Sequence, residues 1–264
     1  MMYHVAMPTW NAEQYLRFAE ERTQPCRDLL HRVLLDKPRR LIDLGCGPGN
    51  STQALAQRWP DAAITGLDSS TDMLAAARRD YPQMEFIVGD IAAWKTDRPY
   101  DLVFSNAALQ WLPEHAALLD RLLRQVAPGG ALAVQLPAND QAPAQRLIRR
   151  MAASPEWKDR FNGNIRDWHV HELPFYYDAL CAHAARIDLW TAEYQHVLPD
   201  PEAIVQWYKG TGLRPFLDAL TLPADRERFL ADYLRGIAGA YPRRPDGRLL
   251  FPFRRLFIIA YKPM

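Results

Sequence analysis

The sequence predicts an α/β protein built on a Rossmann-like, doubly wound and mostly parallel sheet. Short apolar segments alternate with amphipathic segments between residues 39 and 137. A glycine-rich turn directly follows the first apolar segment, and an aspartate lies at the end of each of the next two. Strands that alternate with helices favour βαβ units, in which helices cover both faces of a parallel sheet.

The composition is typical of a folded protein that does not bind its partners by bulk charge. Of 264 residues, 48% are hydrophobic, and 32 Lys and Arg against 31 Asp and Glu leave a net charge of +1. That balance argues against nucleic-acid binding through a broad basic surface. Cys26, Cys46 and Cys181 form neither a disulfide framework nor a zinc motif. Without a signal peptide or a membrane-length apolar run, we expect a cytoplasmic protein that contacts neither membrane nor nucleic acid.

The first elements follow from apolar spacing and from punctuating residues. Residues 1–37 predict helices, with Pro25 in the first turn of the second one. Leu41, Ile42 and Leu44 form a short apolar strand. Asn50 is a candidate cap for the next helix, and Gln53 completes a capping-box pattern.

The alternation continues to residue 137. Further strands are expected at 62–68, 84–90, 100–106 and 131–137. Helices are expected from Ser69 or Ser70 to residue 80 and over residues 113–126, and Pro-Gly-Gly at 128–130 breaks the chain before the last strand.

The second half changes character after Pro137. Residues 142–184 and 200–240 are mostly helical but are interrupted by Pro and Gly, and 186–198 has the pattern of a long strand. We predict a single domain. Its parts are amino-terminal helices at 1–37, a cofactor-binding core at 38–137, helical substrate-side insertions forming a lid at 138–185 and 199–246, and edge strands at 186–198 and 248–262.

The glycine-rich turn is the sharpest motif. Gly45, Gly47 and Gly49 lie between a strand and a helix, where glycines allow tight turning and close approach of a ligand. Asp43 precedes the turn. Asp68 ends the second strand, where a carboxylate accepts hydrogen bonds from ribose hydroxyls, and Asp90 ends the third.

This turn could bind no ligand, a pyrophosphate or a cation. A plain glycine turn would suffice for an isolated motif. Pyrophosphate cofactors use GxGxxG spacing, whereas this chain has GxGxG stiffened by Pro48. A carboxylate such as Asp43 beside the turn suits a cationic ligand better, and S-adenosylmethionine is such a ligand.

These segments resemble the class I S-adenosylmethionine-dependent methyltransferases. LIDLGCGPG, GLDSS, GDI and FSNAALQWLP are similar to four motifs of that family. The resemblance implies a seven-stranded sheet with an antiparallel edge and a site that needs no metal. It implies a cofactor site formed by Asp43, Gly45, Gly47, Gly49, Asp68, Ser69, Asp90, Ile91 and Asn106.

A narrower resemblance covers nearly the whole chain. WNAEQYLRFAEERTQP, NAALQWLPEH, GTGLRPFL and RRLFIIA are similar to blocks of the bacterial trans-aconitate 2-methyltransferases. This resemblance implies methyl-ester formation on a small polycarboxylate substrate. Arginine binds carboxylates in bidentate fashion, which makes Arg22, Arg214 and Arg255 candidate substrate ligands, with Tyr15 as a further one. Arg254 adjoins Arg255, so which of the two faces the substrate stays open.

The chemistry implied by this resemblance needs no catalytic acid or base. A carboxylate has a pKa of about 4 and is ionised at neutral pH, so catalysis reduces to positioning and desolvation. Asn106, Gln110 and Trp111 are expected beside the reaction centre, although Trp111 could equally pack against the next helix. His171 next to His169 is a weak candidate metal ligand, and Arg149 and Arg150 are expected to be solvated.

Several other functions remain open. The chain could methylate another small acid or an acyl-carrier thioester, or bind the cofactor as a non-catalytic regulator. A nucleic-acid methyltransferase is disfavoured, because SNAALQ lacks the (N/D)PP(Y/F) pattern that holds a flipped base. The loop spacing disfavours an NAD-dependent dehydrogenase.

Overall fold

A computed structural model describes residues 19–161 and 168–264, with residues 19–22 described by their backbone alone. The helices are α1 (Ala19–Arg32), α2 (Asn50–Arg58), α3 (Thr71–Asp80), α4 (His115–Arg124), α5 (Pro143–Ala152), α6 (Lys158–Phe161), α7 (Leu173–Leu180), α8 (Pro201–Lys209), α9 (Arg214–Ala219) and α10 (Pro223–Ala240). The strands are β1 (Arg40–Leu44), β2 (Ala63–Asp68), β3 (Glu85–Val88), β4 (Tyr100–Asn106), β5 (Val126–Pro137), β6 (Arg186–Leu198) and β7 (Leu249–Tyr261), and a 3₁₀ turn covers Leu109–Trp111.

The strands form one seven-stranded sheet in the order β3-β2-β1-β4-β5-β7-β6. Pairing is parallel from β3 through β5, whereas β7 runs antiparallel to β5. The predicted seven-stranded sheet, mostly parallel with an antiparallel strand toward one edge, is therefore confirmed. The strand order reverses at β1 and β4, and in such sheets ligands bind beyond the carboxyl ends of the strands at this point.

Contacts within the chain divide it into two compact units. Of the described residues, the sheet unit contains 19–137, 168–192 and 255–264, and the helical unit contains 138–161 and 193–254. The helical unit has its own aromatic core, in which the rings of Trp157 and Phe161 lie 5.1 Å and 5.5 Å from that of Phe229. Both the single-domain organisation and the lid remain predictions.

Helix α1 corrects the prediction for Pro25. This proline lies inside the helix and does not begin a second one. An internal proline loses a backbone hydrogen bond and costs about 3 kcal/mol. Burying Cys26, Leu29 and Leu30 on one face of the helix offsets that cost, because each large apolar side chain contributes about 1.5–3 kcal/mol.

Two further details differ from those predicted: where β5 begins and which strand lies at the sheet edge. The Pro-Gly-Gly segment does not precede β5 but lies within it, because Val126 already pairs with Tyr100 before the register shifts. Gly129 has a φ of +73° and absorbs this irregularity. Residues 248–262, predicted as an edge strand, form the long strand β7, but this strand lies between β5 and β6, so only β6 is at that edge of the sheet.

Candidate active site at the carboxyl ends of the strands

The glycine turn after β1 is attached to the end of β2. The backbone N–H groups of Gly45 and Cys46 both donate to the carbonyl of Leu67, at 2.7 and 3.0 Å. Gly45, Gly47 and Gly49 have φ values of +74°, +54° and +92°. This left-handed region is readily open only to glycine, which accounts for the three glycines of the motif.

The three glycines differ in what surrounds them. A Cβ on Gly45 would lie 2.2 Å from the Cβ of Ala108, and a Cβ on Gly49 would lie 2.8 Å from the ring of Tyr81. A Cβ on Gly47 would meet no described atom within 4 Å. Gly45 and Gly49 thus pack against protein, whereas Gly47 faces open space that a ligand can approach.

Asp68 holds the turn from the end of β2. One carboxylate oxygen accepts from the N–H of Gly47 at 2.9 Å, and the other accepts from the N–H of Ser70 at 2.8 Å. Burial raises the pKa of Asp68, and these hydrogen bonds oppose that rise. A carboxylate has about four acceptor positions, so Asp68 retains capacity for a ligand hydroxyl.

Asp43 is fully buried at the end of β1. Its Oδ2 accepts from the hydroxyls of Ser51 and Thr52 at 2.6 and 2.7 Å. Its Oδ1 has no hydrogen-bond partner among the described residues. Burial raises the pKa of Asp43 to about 6, and the two hydroxyls counteract part of that rise. Ser51 and Thr52 were not predicted as site residues, although two hydroxyl residues shortly after the turn were a visible signal.

Helix α2 begins without the predicted capping box. Gly49 occupies the capping position in a left-handed conformation and Asn50 is the first helical residue, with no side-chain cap. The prediction for Asn50 and Gln53 was wrong, because the turn needs glycine at the capping position. The first N–H groups of a helix attract negative partial charge, and no side-chain cap satisfies them at the start of α2.

The segment after β3 is held by an arginine from α4. The carbonyls of Ile91 and Trp94 accept from the guanidinium of Arg121 at 2.9 and 2.5 Å. The carboxylate of Asp90 accepts from the N–H of Ala92 through Oδ1 at 2.9 Å. These contacts order Asp90 and Ile91 beside the end of β2, to which β3 is paired.

Two unpartnered acceptors lie where β4 ends. Ala107 has a φ of 55°, a conformation that costs a non-glycine residue about 1–2 kcal/mol. Gln110 donates through Nε2 to the Ala107 carbonyl at 2.8 Å and so holds this turn. Among the residues described, Asn106 Oδ1 and Gln110 Oε1 have no partner. Strain together with buried acceptors is typical of a functional turn.

A histidine network fixes the segment beyond this turn. His115 lies close to the Tyr176 hydroxyl through Nδ1 and to the Leu109 carbonyl through Nε2, both at 2.9 Å. The carbonyl can only accept, so Nε2 carries the proton and Nδ1 accepts from Tyr176. Burial lowers the pKa of His115. The imidazole is therefore a neutral structural group and not a base.

The remaining predicted aromatic and histidine residues pack within the sheet unit. The ring of Trp111 meets that of Trp168 edge to face at 6.0 Å, and the ring of His171 stacks on Phe175 at 3.9 Å. Within the described ranges, no group of three or more His, Cys, Asp or Glu residues could hold a metal ion.

The structure distinguishes the two adjacent arginines of β7. Arg255 is only 3% exposed, and its Nη1 donates to Oε1 of Gln135 at 3.4 Å. Arg254 is half-buried, and its backbone N–H donates to Asn139. Arg255 is therefore the arginine that belongs to the interior of the sheet unit. Gln135 had no predicted role.

For the other candidate substrate residues, the structure describes either a contact within the protein or no side chain. Arg214 begins α9 in the helical unit, and its Nε lies 3.2 Å from the Asp218 carboxylate one turn later. Tyr15 lies outside the described residues, and Arg22 lies in α1 with a side chain that is likewise outside them. Arg149 was expected to be solvated, but it is half-buried with a buried Nε, which corrects that prediction.

None of the described helices is long and apolar enough to cross a membrane.

Solved structures with this fold include methyltransferases. The YcgJ protein from Bacillus subtilis aligns with 91% of this chain and 99% of its own, with a TM-score of 0.60 and 13% identity. Phosphoethanolamine N-methyltransferase 2 of Haemonchus contortus, solved with S-adenosyl-L-methionine, aligns with 91% of this chain and 53% of its own, with a TM-score of 0.55 and 18% identity. At these identities the likeness concerns the fold.

Sequence comparisons identify the family as well as the fold. A family model described as a methyltransferase domain matches residues 41–130. Trans-aconitate 2-methyltransferase from Azoarcus sp. (strain BH72) is 49% identical, covering 97% of this chain and 100% of the relative. The Methylobacterium nodulans protein of the same name is 51% identical, covering 96% and 98%. Identity at this level runs through both units, and the chain belongs to the trans-aconitate 2-methyltransferase family.

Proposed function

We propose that this protein is an S-adenosylmethionine-dependent O-methyltransferase that forms the monomethyl ester of trans-aconitate. Close relatives along nearly the full length carry that activity in their names. The observation in the structure that supports the proposal most is the open space at Gly47, whose N–H donates to the Asp68 carboxylate in the turn that follows Asp43. A cationic nucleoside fits that arrangement and a pyrophosphate does not, because its negative charge would face buried carboxylates.

The residues present fit S-adenosylmethionine. Asp43 Oδ1 lacks a partner among the described residues and is suited to the positively charged methionine end. Asp68 would accept from the ribose hydroxyls, with Ser69 beside it, and Asp90 and Ile91 would flank the adenine. Asn106 Oδ1 would lie near the methyl group. When bound, this cofactor supplies an electrophilic methyl group that passes to an oxygen nucleophile without transfer of a proton.

Asp43 makes cofactor affinity dependent on pH. Asp43 has a pKa of about 6 in the folded protein, against about 4 in an unfolded chain. Its protonated form therefore stabilises the folded state fully below pH 4, and this stabilisation is lost as the pH rises through 6. A cation bound beside Asp43 favours the ionised form, so S-adenosylmethionine affinity should rise between pH 4 and 6 and then level off. Calorimetry across this range tests the rise.

Asp43→Asn is the matched variant for this prediction. It should bind the cofactor more weakly at pH 7, and its affinity should rise less between pH 4 and 6, with the remaining rise due to Asp68. Equal pH profiles for the two proteins would contradict the role of Asp43.

The protein contributes position and desolvation, not a base. The substrate carboxylate is already ionised at neutral pH. His115 is neutral and donates its one N–H to Leu109. Burial and the neighbouring Asp43 and Asp68 raise the pKa of the Cys46 thiol, which keeps it protonated and excludes it as a nucleophile. Holding the reacting oxygen in line with the methyl carbon is worth several kcal/mol of the barrier.

The rate should therefore be independent of pH above about 6.5 until the protein or the cofactor fails. Initial rates at saturating cofactor and substrate, measured from pH 6.5 to 9, test this expectation. A rise with one proton and a midpoint near 7 would indicate a histidine base and would overturn the mechanism without a base.

Arg214 is proposed to bind a carboxylate that does not react. Arg214→Ala should lower kcat/KM for trans-aconitate by about ten- to a hundredfold, since a hydrogen bond to a charged group contributes about 1.5–3 kcal/mol. A dicarboxylate lacking that group should be affected much less. Arg214→Lys should not restore activity, because it lacks the planar guanidinium.

The Asp218 carboxylate, 3.2 Å from Arg214, provides the control. Asp218→Asn removes the competing negative charge and should leave KM unchanged or lower it. If Arg214→Ala has no effect on either acid, Arg214 does not contact the substrate.

A substrate panel tests the proposed function as a whole. The pure protein is incubated with labelled S-adenosylmethionine and with trans-aconitate, citrate, isocitrate and a malonyl thioester, and the esters are identified by mass spectrometry. We expect a trans-aconitate monoester as the main product. A main product from another acid would change the substrate, and cofactor binding without any product would indicate a regulator.

A further inference from the structure

A buried glutamine at the end of β5 has no role in any of the preceding steps. Gln135 is fully buried and lies opposite Asn106 of β4 and Phe257 of β7. Its Oε1 accepts from Arg255 at 3.4 Å. The reverse amide orientation would place two donors against each other, so this contact assigns the Nε2 donor to the other side.

That donor has no hydrogen-bond partner among the described residues. A buried N–H without an acceptor is costly, and native proteins rarely leave one unsatisfied. A ligand atom that accepts hydrogen bonds would satisfy it. The adjacent guanidinium of Arg255 favours an acceptor with negative charge.

The strand register brings this donor onto the same face of the sheet as the cofactor residues. Asn106 is paired with Gln135, and Arg255 is paired with Pro137, two residues further along β5. Asp43 is paired with Phe104, two residues before Asn106. Paired residues and residues two apart share a face, so Asp43, Asn106, Gln135 and Arg255 form one row that runs diagonally across that face.

The two halves of this row differ in the ligand charge that they suit. On β1 and β4, Asp43 Oδ1 and Asn106 Oδ1 are acceptors without described partners, and these suit a cationic cofactor. On β5 and β7, Gln135 presents a donor and Arg255 presents a cation, and these suit an anion. The boundary between the two halves falls between β4 and β5, where a cationic methyl donor and an anionic acceptor would meet.

We infer that Gln135 and Arg255 together bind a carboxylate of the substrate that does not react, and that Gln135 helps to select polycarboxylates over monocarboxylates. A reacting carboxylate loses its charge on esterification and would leave Arg255 beside a neutral ester. A carboxylate that stays ionised satisfies the Gln135 donor and keeps its charge beside Arg255 in both substrate and product. This inference rests on the proposed function, and it assigns a substrate contact to a residue that the sequence motifs did not indicate.

Two variants test it. Gln135→Met keeps the length of the side chain without a donor, and Gln135→Glu keeps the acceptor toward Arg255 but replaces the donor with negative charge. Calorimetry measures trans-aconitate binding to enzyme loaded with S-adenosylhomocysteine. We expect affinity to fall about ten- to a hundredfold in Gln135→Met and further in Gln135→Glu, with S-adenosylhomocysteine affinity unchanged.

Kinetics with crotonate, an unsaturated monocarboxylate, add a second measurement. The kcat/KM for crotonate should be the same in wild type and Gln135→Met, because crotonate has no second carboxylate. Gln125→Met is the matched control. Gln125 accepts from the N–H of Thr96 at the opposite end of the strands, so its loss should leave both affinities unchanged.

Three outcomes would overturn the inference. Trans-aconitate affinity equal to wild type in both variants would show that water satisfies the amide. An equal loss for both acids would indicate a general structural effect, as would a loss of S-adenosylhomocysteine affinity accompanied by a lower unfolding temperature. A wild-type protein that neither binds nor methylates trans-aconitate would instead refute the proposed function.

Discussion

Gly47→Ala should lose little stability but bind the cofactor much more weakly, whereas Gly45→Ala should destabilise the fold more strongly. Both residues have a left-handed backbone, which costs alanine about 1–2 kcal/mol. Only at Gly45 does the new methyl group collide with protein, 2.2 Å from Ala108. Overpacking adds about 1–3 kcal/mol or more, so the unfolding temperature of Gly45→Ala should fall by on the order of 10 °C.

At Gly47 the added methyl group enters the space that we assign to the cofactor. We expect S-adenosylmethionine affinity to fall by on the order of a hundredfold, equivalent to about 2.7 kcal/mol. Thermal unfolding without ligand and calorimetry with ligand separate the two effects. Cofactor affinity equal to wild type in Gly47→Ala would place the ligand elsewhere.

Asp68→Asn should weaken cofactor binding nearly as much as Asp68→Ala. The carboxylate accepts from the N–H of Gly47 and from the N–H of Ser70, one at each oxygen. Asparagine keeps one acceptor and turns an amide donor toward the other N–H, so the glycine turn loses an attachment along with the ribose ligand. Each hydrogen bond to a charged group contributes about 1.5–3 kcal/mol.

Calorimetry with S-adenosylmethionine should therefore show at least a ten- to hundredfold loss in both variants. Asp72→Asn, an exposed residue in the first turn of α3, is the control and should bind normally. If Asp68→Asn bound like wild type, Asp68 would be neither a ribose ligand nor needed to hold the turn.

The predictability of the fold follows from local chemistry. Strand β1 was predicted because its three apolar residues, interrupted only by Asp43, lead directly into a glycine turn. Ser69 or Ser70 was predicted to begin α3, and the hydroxyl of Ser70 caps it by accepting from the N–H of Met73 at 3.3 Å. Periodicity, capping residues and glycine act over a few residues, and a sequence displays them directly.

Errors arose where packing outweighed local preference. Pro25 lies within α1 because the buried face of that helix offsets the lost hydrogen bond. Asn50 is not a cap because Gly49 takes that position. In both cases the local signal was real but weaker than the tertiary contacts around it.

By itself, the sequence determined the parallel sheet, the glycine turn and the carboxylates at the ends of β1 and β2, because each is encoded within a few consecutive residues. Only the tertiary structure decided that Arg255, not Arg254, is buried and that it donates to Gln135 across 120 positions of the chain. It also decided that Ser51 and Thr52 hold Asp43. Strand register and burial set these contacts, and both depend on which distant segments pair, which no spacing along a single chain reveals.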